Sequence, residues 1–299
     1  MSPRFVAGLA LLLAGCDDLK HRQSTELIVV SDQLRLVDMR ASAGATGALR
    51  GSGQLLVDRW VPESSPITFA ERGGPSEVRA NEAGVIVGGD ALHAIDDEIE
   101  AVVTSPELGL RLSARGLRDA PVAACATARW KSAIQRVEVE GWVEAAQRGG
   151  SVRGPALWIQ REGAPPTAPR RLIYLRTGEV ELLWSEDGCV TWRKSTPGSE
   201  EQEPPSDLEI SLDPWGRGQV RAPSAGLDLR LRPTGVRGAT PVYAHLSPPE
   251  AWLAGALSGR AERRVALVEA QGQLGANSPP IRATALFLEV GPTAAQADQ

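Results

Sequence analysis

Apolar and polar residues alternate with a period of two along most of the chain. The clearest run is RVEVEGWVEAAQRGGSVRGPALWIQREG, residues 136–163, in which Val137, Val139 and Val143 alternate with Glu138, Glu140 and Glu144. Such alternation sends one set of side chains to each face of a strand, and the glycines at 149 and 150 supply a turn, so the run predicts a hairpin with one charged face. Trp142 falls among the glutamates, which predicts an indole covered by a loop or by the other half of the chain. Residues 27–39 alternate through Leu34, Leu36 and Asp38 around Arg35, and 53–60 read as a further strand stopped by Pro62. Short strand-like pieces follow at 67–69, 77–79, 84–87 and 98–104, separated by glycine, proline and asparagine turns. Residues 172–184 read as a hairpin about Thr177-Gly178. Two stretches admit short helices, 126–137 and 248–259, the second with Ser247 as N-cap and prolines at its start.

The chain also repeats itself. The run 136–163 is echoed by RVALVEAQGQLGANSPPIRATALFLEV at 264–290, and LGLRLSARGLRDAPV at 108–122 returns as LDLRLRPTGVRGATPV at 227–242, with Gly116/Gly235 and Arg118/Arg237 at one offset. A duplication of this kind implies two like halves. The boundary falls in the proline-rich stretch 161–171, which is stiff and extended rather than folded. The expected organisation is a signal at 1–15, a tether at 16–26, an N-terminal half at 27–163, a linker at 164–170, a C-terminal half at 171–290 and a disordered tail at 291–299. With 31 glycines, 22 prolines and short strands, the predicted fold class is all-β, two tandem β-barrel or sandwich halves.

Val139 and Gly141 followed by Val152, Gly154, Ala156, Trp158, Arg161, Glu162 and Gly163 form a pattern that resembles the AttH-like proteins, the group of the carotenoid 1,2-hydratases (hydroxyneurosporene synthases) and relatives of tocopherol cyclase. The resemblance implies two lipocalin-like barrels in tandem and an apolar substrate. It also implies a catalytic aspartate shortly after the tryptophan, where this chain has Ile159 and Gln160. An amide cannot donate a proton as an acid does. The departure therefore points to a member without hydratase chemistry, with Glu162 the one nearby carboxylate that could substitute.

Composition adds an address. Residues 5–13 are an apolar run preceded by Arg4, too short to span a bilayer as a helix, and they end in Leu13-Ala14-Gly15-Cys16. That tetrapeptide resembles a bacterial lipobox, so Cys16 is the expected lipidation site and the protein an exported, lipid-anchored membrane protein outside the cytoplasm. Acyl chains contribute about 0.8 kcal/mol per buried methylene. The formal charge of −5 is spread along the chain, which argues against nucleic acid as a partner. The remaining cysteines, Cys125 and Cys189, are too few for a disulfide framework and read equally as a pair or as two buried thiols.

Candidate chemistry is sparse. The acidic stretch around His93 (Asp96, Asp97, Glu98, Glu100) lacks EF-hand spacing and reads as the outer face of a strand, and neither a metal nor a cofactor is expected. Tyr243 and His245 break the repeat and are candidate ligand contacts. Trp158 and Gln160 share a face with Gly154 and Ala156 and could line an apolar pocket or simply pack a core. The first functional reading is a non-catalytic envelope protein that binds a lipid or apolar small molecule or acts as a scaffold. The alternatives are a hydratase- or cyclase-like enzyme acting on an isoprenoid or other apolar substrate, and a protein-interaction lipoprotein contacting partners through the acidic loop 196–207. An interior carboxylate with a raised pKa would favour the enzyme. Palmitate labelling checks the address: the wild-type chain should take up label and Cys16→Ser should not, whereas label on both would remove the anchor.

Overall fold

The computed structural model describes residues 23–31, 35–43, 53–60, 67–74, 76–81, 83–118, 120, 122–127, 130–145, 148–163, 170–194, 201–241, 252, 261–275 and 280–292. The described chain is almost wholly strand and forms two separate antiparallel sheets, each within its own compact unit.

The first unit contains β1 (Gln23–Ser31), β2 (Arg35–Ala43), β3 (Gly53–Trp60), β4 (Ile67–Gly73), β5 (Val78–Asn81), β6 (Gly84–Val87), β7 (Asp90–Ile95), β8 (Glu98–Thr104), β9 (Leu108–Arg115), β10 (Val122–Thr127), β11 (Trp130–Ala145) and β12 (Arg148–Gly163). Their order across the sheet is β4-β3-β2-β1-β12-β11-β9-β8-β7-β6-β5, with β10 extending the edge of β11. The sheet curls until β6 lies across the interior from β1, β2, β3 and β4, which makes a nearly closed barrel. Its two edge strands, β4 and β5, are not paired with each other, so the wall has a seam there. Inside, Leu27, Val37, Met39, Leu55, Leu92, Leu112, Val139 and Trp158 form one buried cluster.

The second unit contains β13 (Arg170–Arg176), β14 (Val180–Ser185), β15 (Val190–Lys194), β16 (Glu201–Gln202), β17 (Glu209–Leu212), β18 (Gly218–Ala222), β19 (Leu227–Pro241), β20 (Ala261–Leu274) and β21 (Ile281–Pro292). Their order is β16-β15-β14-β13-β21-β20-β19-β18-β17. This is the order of the first sheet with its final strands missing, and the result is a half-barrel around Ile173, Leu182, Leu229, Val268 and Phe287.

The duplication is therefore visible in topology: in each unit the first strand pairs with the second arm of the last hairpin, and the first arm pairs with the strand of the LxLxL motif. The structural register nevertheless differs from the echo in the letters. Gly141 faces Leu112 on β9, and an added Cβ would lie 2.1 Å from the Arg111 carbonyl oxygen. Gly272 faces Leu229 on β19, where a Cβ would lie 1.9 Å from the Asp228 carbonyl oxygen. These two close approaches identify equivalent positions, which shifts the alignment away from Arg136 on Arg264. Alternating leucines match about as well two residues further on, so the leucine pattern alone does not fix the register. With Gly141 on Gly272, Trp158 corresponds to Phe287, each buried opposite the first strand at Leu27 or Ile173.

Other expectations change as well. Within 126–137 the described residues, 126–127 and 130–137, are strand, not helix: β11 begins at Trp130 and pairs along its whole length with β12. Tertiary pairing overrides a weak helical spacing here. The stretch 248–259 lies outside the described residues apart from Trp252, which is exposed. β1 starts at Gln23, inside the segment read as a tether, and pairing with β12 buries Thr25 and Glu26. Glu201–Gln202, within the acidic loop, form a short strand against β15, and Asp207 accepts hydrogen bonds from the Ser224 backbone N–H (2.7 Å) and hydroxyl (2.6 Å). Trp142 is 43 % exposed and packs over Gly109 and Gly149 instead of under a cover. The valines of β11 face the core and its glutamates face outward, as the alternation predicts.

The close approach at Gly141 makes a direct test. Gly141→Ala forces strand separation and should destabilise the fold by about 1–3 kcal/mol in urea unfolding. Gly235→Ala, where a Cβ meets nothing within 4 Å, should stay within about 0.5 kcal/mol of wild type. Equal effects at the two positions would contradict this packing.

Candidate functional site

The positions singled out from the sequence do not converge on one site. Trp158 is 1 % exposed and packs in the centre of the first core. Gln160 lies two residues further along the same face, half-buried, opposite Thr25 and Ala133. Glu162 points to solvent, with its side chain 61 % exposed and its carboxylate 3.7 Å from Lys131 Nζ. A solvated ion pair of this kind supplies no hidden acid. Cys16, Tyr243 and His245 lie outside the described residues.

The acidic stretch near His93 is neutralised across the sheet. Glu100 meets Arg111 at 3.3 Å and His93 at 3.8 Å, Glu98 meets Arg115 at 3.7 Å, and Asp96 meets Arg118 at 3.7 Å. Asp97 accepts the Arg118 backbone N–H at 2.6 Å. Among the described residues no His, Cys, Asp and Glu group is arranged to hold a metal ion. Cys125 and Cys189 are both buried and both disulfide-bonded, which removes the free-thiol reading.

Most buried carboxylates have arginine partners. On the outer face of β1–β3, Glu26 is bonded by Arg161, and Arg40 lies 3.2 Å from Asp38 and bonds Asp58, which also accepts from the Thr68 hydroxyl at 2.7 Å. Asp38 and Asp58 are directly opposed on β2 and β3, an unfavourable juxtaposition that the guanidinium between them offsets. Burial by itself would lower the Arg40 pKa, but the fields of Asp38, Asp58 and Glu26 outweigh it and push the value up. In the second unit Glu289 is bonded by Arg171 (2.8 Å) and Arg264, and Glu181 by Tyr174 (2.6 Å) and Arg193 (2.5 Å).

Glu71 is different. It lies on β4 at the barrel seam, on the same face as the core residue Phe69, and hydrogen-bonds Asp90 at the start of β7. Asp90 is buried on the same inward parity as Leu92 and accepts the Thr104 backbone N–H at 2.8 Å. No arginine, lysine or histidine among the described residues forms a salt bridge to Glu71. Desolvation first, then the hydrogen bond to Asp90 and the charges of Asp90 and Glu77, push the Glu71 pKa from 4.5 up to about 7. The two-residue turn Gly88-Gly89 makes room for the pair. Gly88 has φ +60°, and a Cβ there would lie 2.8 Å from Glu71 Oε1. Glu71 thus keeps its proton up to about pH 7, beside an Asp90 that is fixed by the Thr104 amide. Such a pair can deliver a proton and take it back.

Two partial signals for this pair stand in the letters: Glu71 keeps the inward parity of Phe69, and Asp90 follows a tight Gly-Gly turn. Nothing in the letters ties one to the other across the intervening hairpin.

Fold and site define a class, a tandem all-β protein with an AttH/lipocalin-like fold. No family model and no curated protein matches the chain. Among solved structures it is similar to a putative AttH from Nitrosomonas europaea, with TM-score 0.54, 9 % identity, and 89 % of this chain and 92 % of that one covered. It is also similar to CghA, with TM-score 0.54, 11 % identity and 91 % and 89 % covered, and to CghA with Sch210972, with TM-score 0.52 and 12 % identity. Kievitone hydratase from Nectria haematococca matches with TM-score 0.46, 9 % identity and 92 % and 90 % covered. At these identities the likeness is one of fold. The first functional reading, a non-catalytic binder or scaffold, is set aside on this comparison: the neighbours above a TM-score of 0.5 are a putative AttH and CghA, and what they share with this chain is the fold. Glu71, half-buried on the inward parity of β4, is a carboxylate with a raised pKa.

The raised pKa has a sign that can be checked. A folded-state pKa above the unfolded one means that Glu71 supports the fold fully below pH 4.5 and that this support is lost as pH rises through about 7. Glu71→Gln keeps a neutral side chain at every pH, so its urea midpoint should gain on wild type as pH rises from 4.5 to about 7 and level off above that. A constant difference between the two proteins across that window would contradict the raised pKa.

Proposed function

We propose that the protein is an enzyme of the hydratase or cyclase kind, acting on an isoprenoid or other apolar unsaturated substrate. The observation that carries the reading is the Glu71–Asp90 pair at the seam of the first barrel, where Glu71, half-buried on the inward parity of β4, keeps its proton up to about pH 7. The proton of Glu71 adds to one carbon of a carbon–carbon double bond, and the π electrons form the new C–H bond. The adjacent carbon becomes a cation. Water captures it in a hydration, or a second double bond of the substrate captures it in a cyclisation. The carboxylates, now both charged beside the cation, stabilise it and recover a proton from the bound water or from a neighbouring carbon. Asp90 tunes Glu71: its charge raises the affinity of Glu71 for the proton, and the Thr104 amide holds Asp90 in place.

The aspartate missing after Trp158 is compatible with this reading because the acid comes from a different strand. We further propose that the chain works outside the cytoplasm, anchored through Cys16. The lipobox resemblance supports this, and so do disulfide-bonded Cys125 and Cys189, since structural disulfides belong to oxidising compartments.

The test is a panel of apolar alkenes and polyenes in heavy water, followed by mass spectrometry. The wild-type protein should incorporate solvent deuterium at carbon, and Glu71→Gln should lower that rate by about 10²–10⁴. Glu162→Gln should have no effect. Undiminished turnover by Glu71→Gln would remove the assignment.

A further inference from the structure

The outer face of the half-barrel carries a groove of about 760 Å³, lined by Arg217, Arg230 and Arg232 with Ser211, Gln219 and Pro233 among its walls. Strand alternation places the arginines there: Leu229 and Leu231 of β19 are buried, so Arg230 and Arg232 point outward together, about 7 Å apart along the strand. Gly218 pairs with Leu231, so Arg217, the next residue back, stands level with Arg232 on the neighbouring strand. The groove has structural causes. β19 breaks register between Pro233 and Arg237, and a bulge of this kind bends its strand. At Gly218 a Cβ would lie 1.8 Å from the Ser211 carbonyl oxygen, so the absence of a side chain lets β17 and β18 approach at the floor.

The charges in this groove are not spent internally. Glu269 faces Arg232 across the β19–β20 ladder but is held by Arg282 at 3.1 Å. Asp228, one step before Arg230 on the same face, accepts from Gln219 at 2.8 Å and lies 3.6 Å from Arg221. Gln271, the cross-strand neighbour of Arg230 on β20, is neutral. Asp213, the carboxylate nearest Arg217 in sequence, accepts the backbone N–H groups of Trp215 and Arg217, each at 2.8 Å. Among the described residues none of the three guanidinium groups has a hydrogen bond or ion pair, and no carboxylate lines the groove. Three free cations in one concavity are out of keeping with a chain whose formal charge is −5.

We infer that this groove binds a phosphate-class anion, carried either on a soluble phosphate ester or on a phospholipid headgroup. Guanidinium groups match phosphate oxygens in pairs of hydrogen bonds, and three positive charges at strand spacing suit a multiply charged anion better than a single carboxylate. The hydroxyl of Ser211 and the amide of Gln219 add neutral donors at the rim. The inference is independent of the proposed reaction, whose acid lies in the other unit.

The full-length protein is titrated calorimetrically with pyrophosphate at low salt and, separately, sedimented with vesicles of phosphatidylglycerol or of phosphatidylcholine. The same is done with Arg230→Gln/Arg232→Gln and with Arg115→Gln, an exposed arginine of the first unit. Because the groove arginines are exposed, the double variant should unfold at the wild-type temperature. Saturable pyrophosphate binding weakened about ten-fold or more in the double variant alone identifies a soluble phosphate source. Preferential retention on phosphatidylglycerol, lost in the double variant alone and without pyrophosphate binding, identifies a headgroup. Neither signal in wild type, or signals equal in wild type and the double variant, overturns the inference.

Discussion

The structure of each unit depends on one pairing: the first strand docks beside the last hairpin, β1 on β12 and β13 on β21. This contact closes a loop of more than a hundred residues in the first unit. It places β1 and β12 in the middle of the sheet, where side chains on both faces are buried; β1 shows five consecutive buried residues, Thr25 to Val29. An unpaired β1 would leave the main-chain polar groups of its neighbour without partners, and each such buried group costs about 1–3 kcal/mol. The rest of the order follows from this docking. Hairpins spread to either side, and the sheet ends at β4 and β5 without joining them.

That constraint explains where the chemistry lies. Central strands cannot leave a carboxylate unpaired, and the carboxylates on β1, β2, β3, β14 and β21 are matched by arginines or by a tyrosine. The seam is where the barrel tolerates a departure. There β4 ends, the Gly88-Gly89 turn leaves room, and Glu71 meets Asp90 with no salt bridge to Glu71 from a described cation. Glu71 keeps its proton up to about pH 7 instead, which is what the proposed acid step requires.

Much of the fold was legible because period-two alternation is a local property. The valine and glutamate faces of β11, the Thr177-Gly178 hairpin and the duplication could all be read from the letters. The helix expected at 126–137 failed because long-range pairing to β12 outweighs a weak local preference. The repeat was recognised but set in the wrong register, since what fixes it is backbone approach at Gly141 and Gly272, which letters do not show. The site was the least legible part. Trp158 and Glu162 stood out by resemblance, yet one is core and the other solvated. Glu71 and Asp90 come from separate strands, β4 and β7, that are not paired with each other, so the curl of the sheet brings them together.

The central claim is that Glu71, beside Asp90, keeps its proton up to about pH 7. Carbon-13 labelling of glutamate side chains, with Glu71 assigned by substitution, allows its carboxyl carbon to be titrated directly by nuclear magnetic resonance. The account predicts a midpoint at about 7 in the wild-type protein, falling in Asp90→Asn as the neighbouring charge is removed. A Glu71 midpoint near 4.5, unchanged by Asp90→Asn, would contradict it.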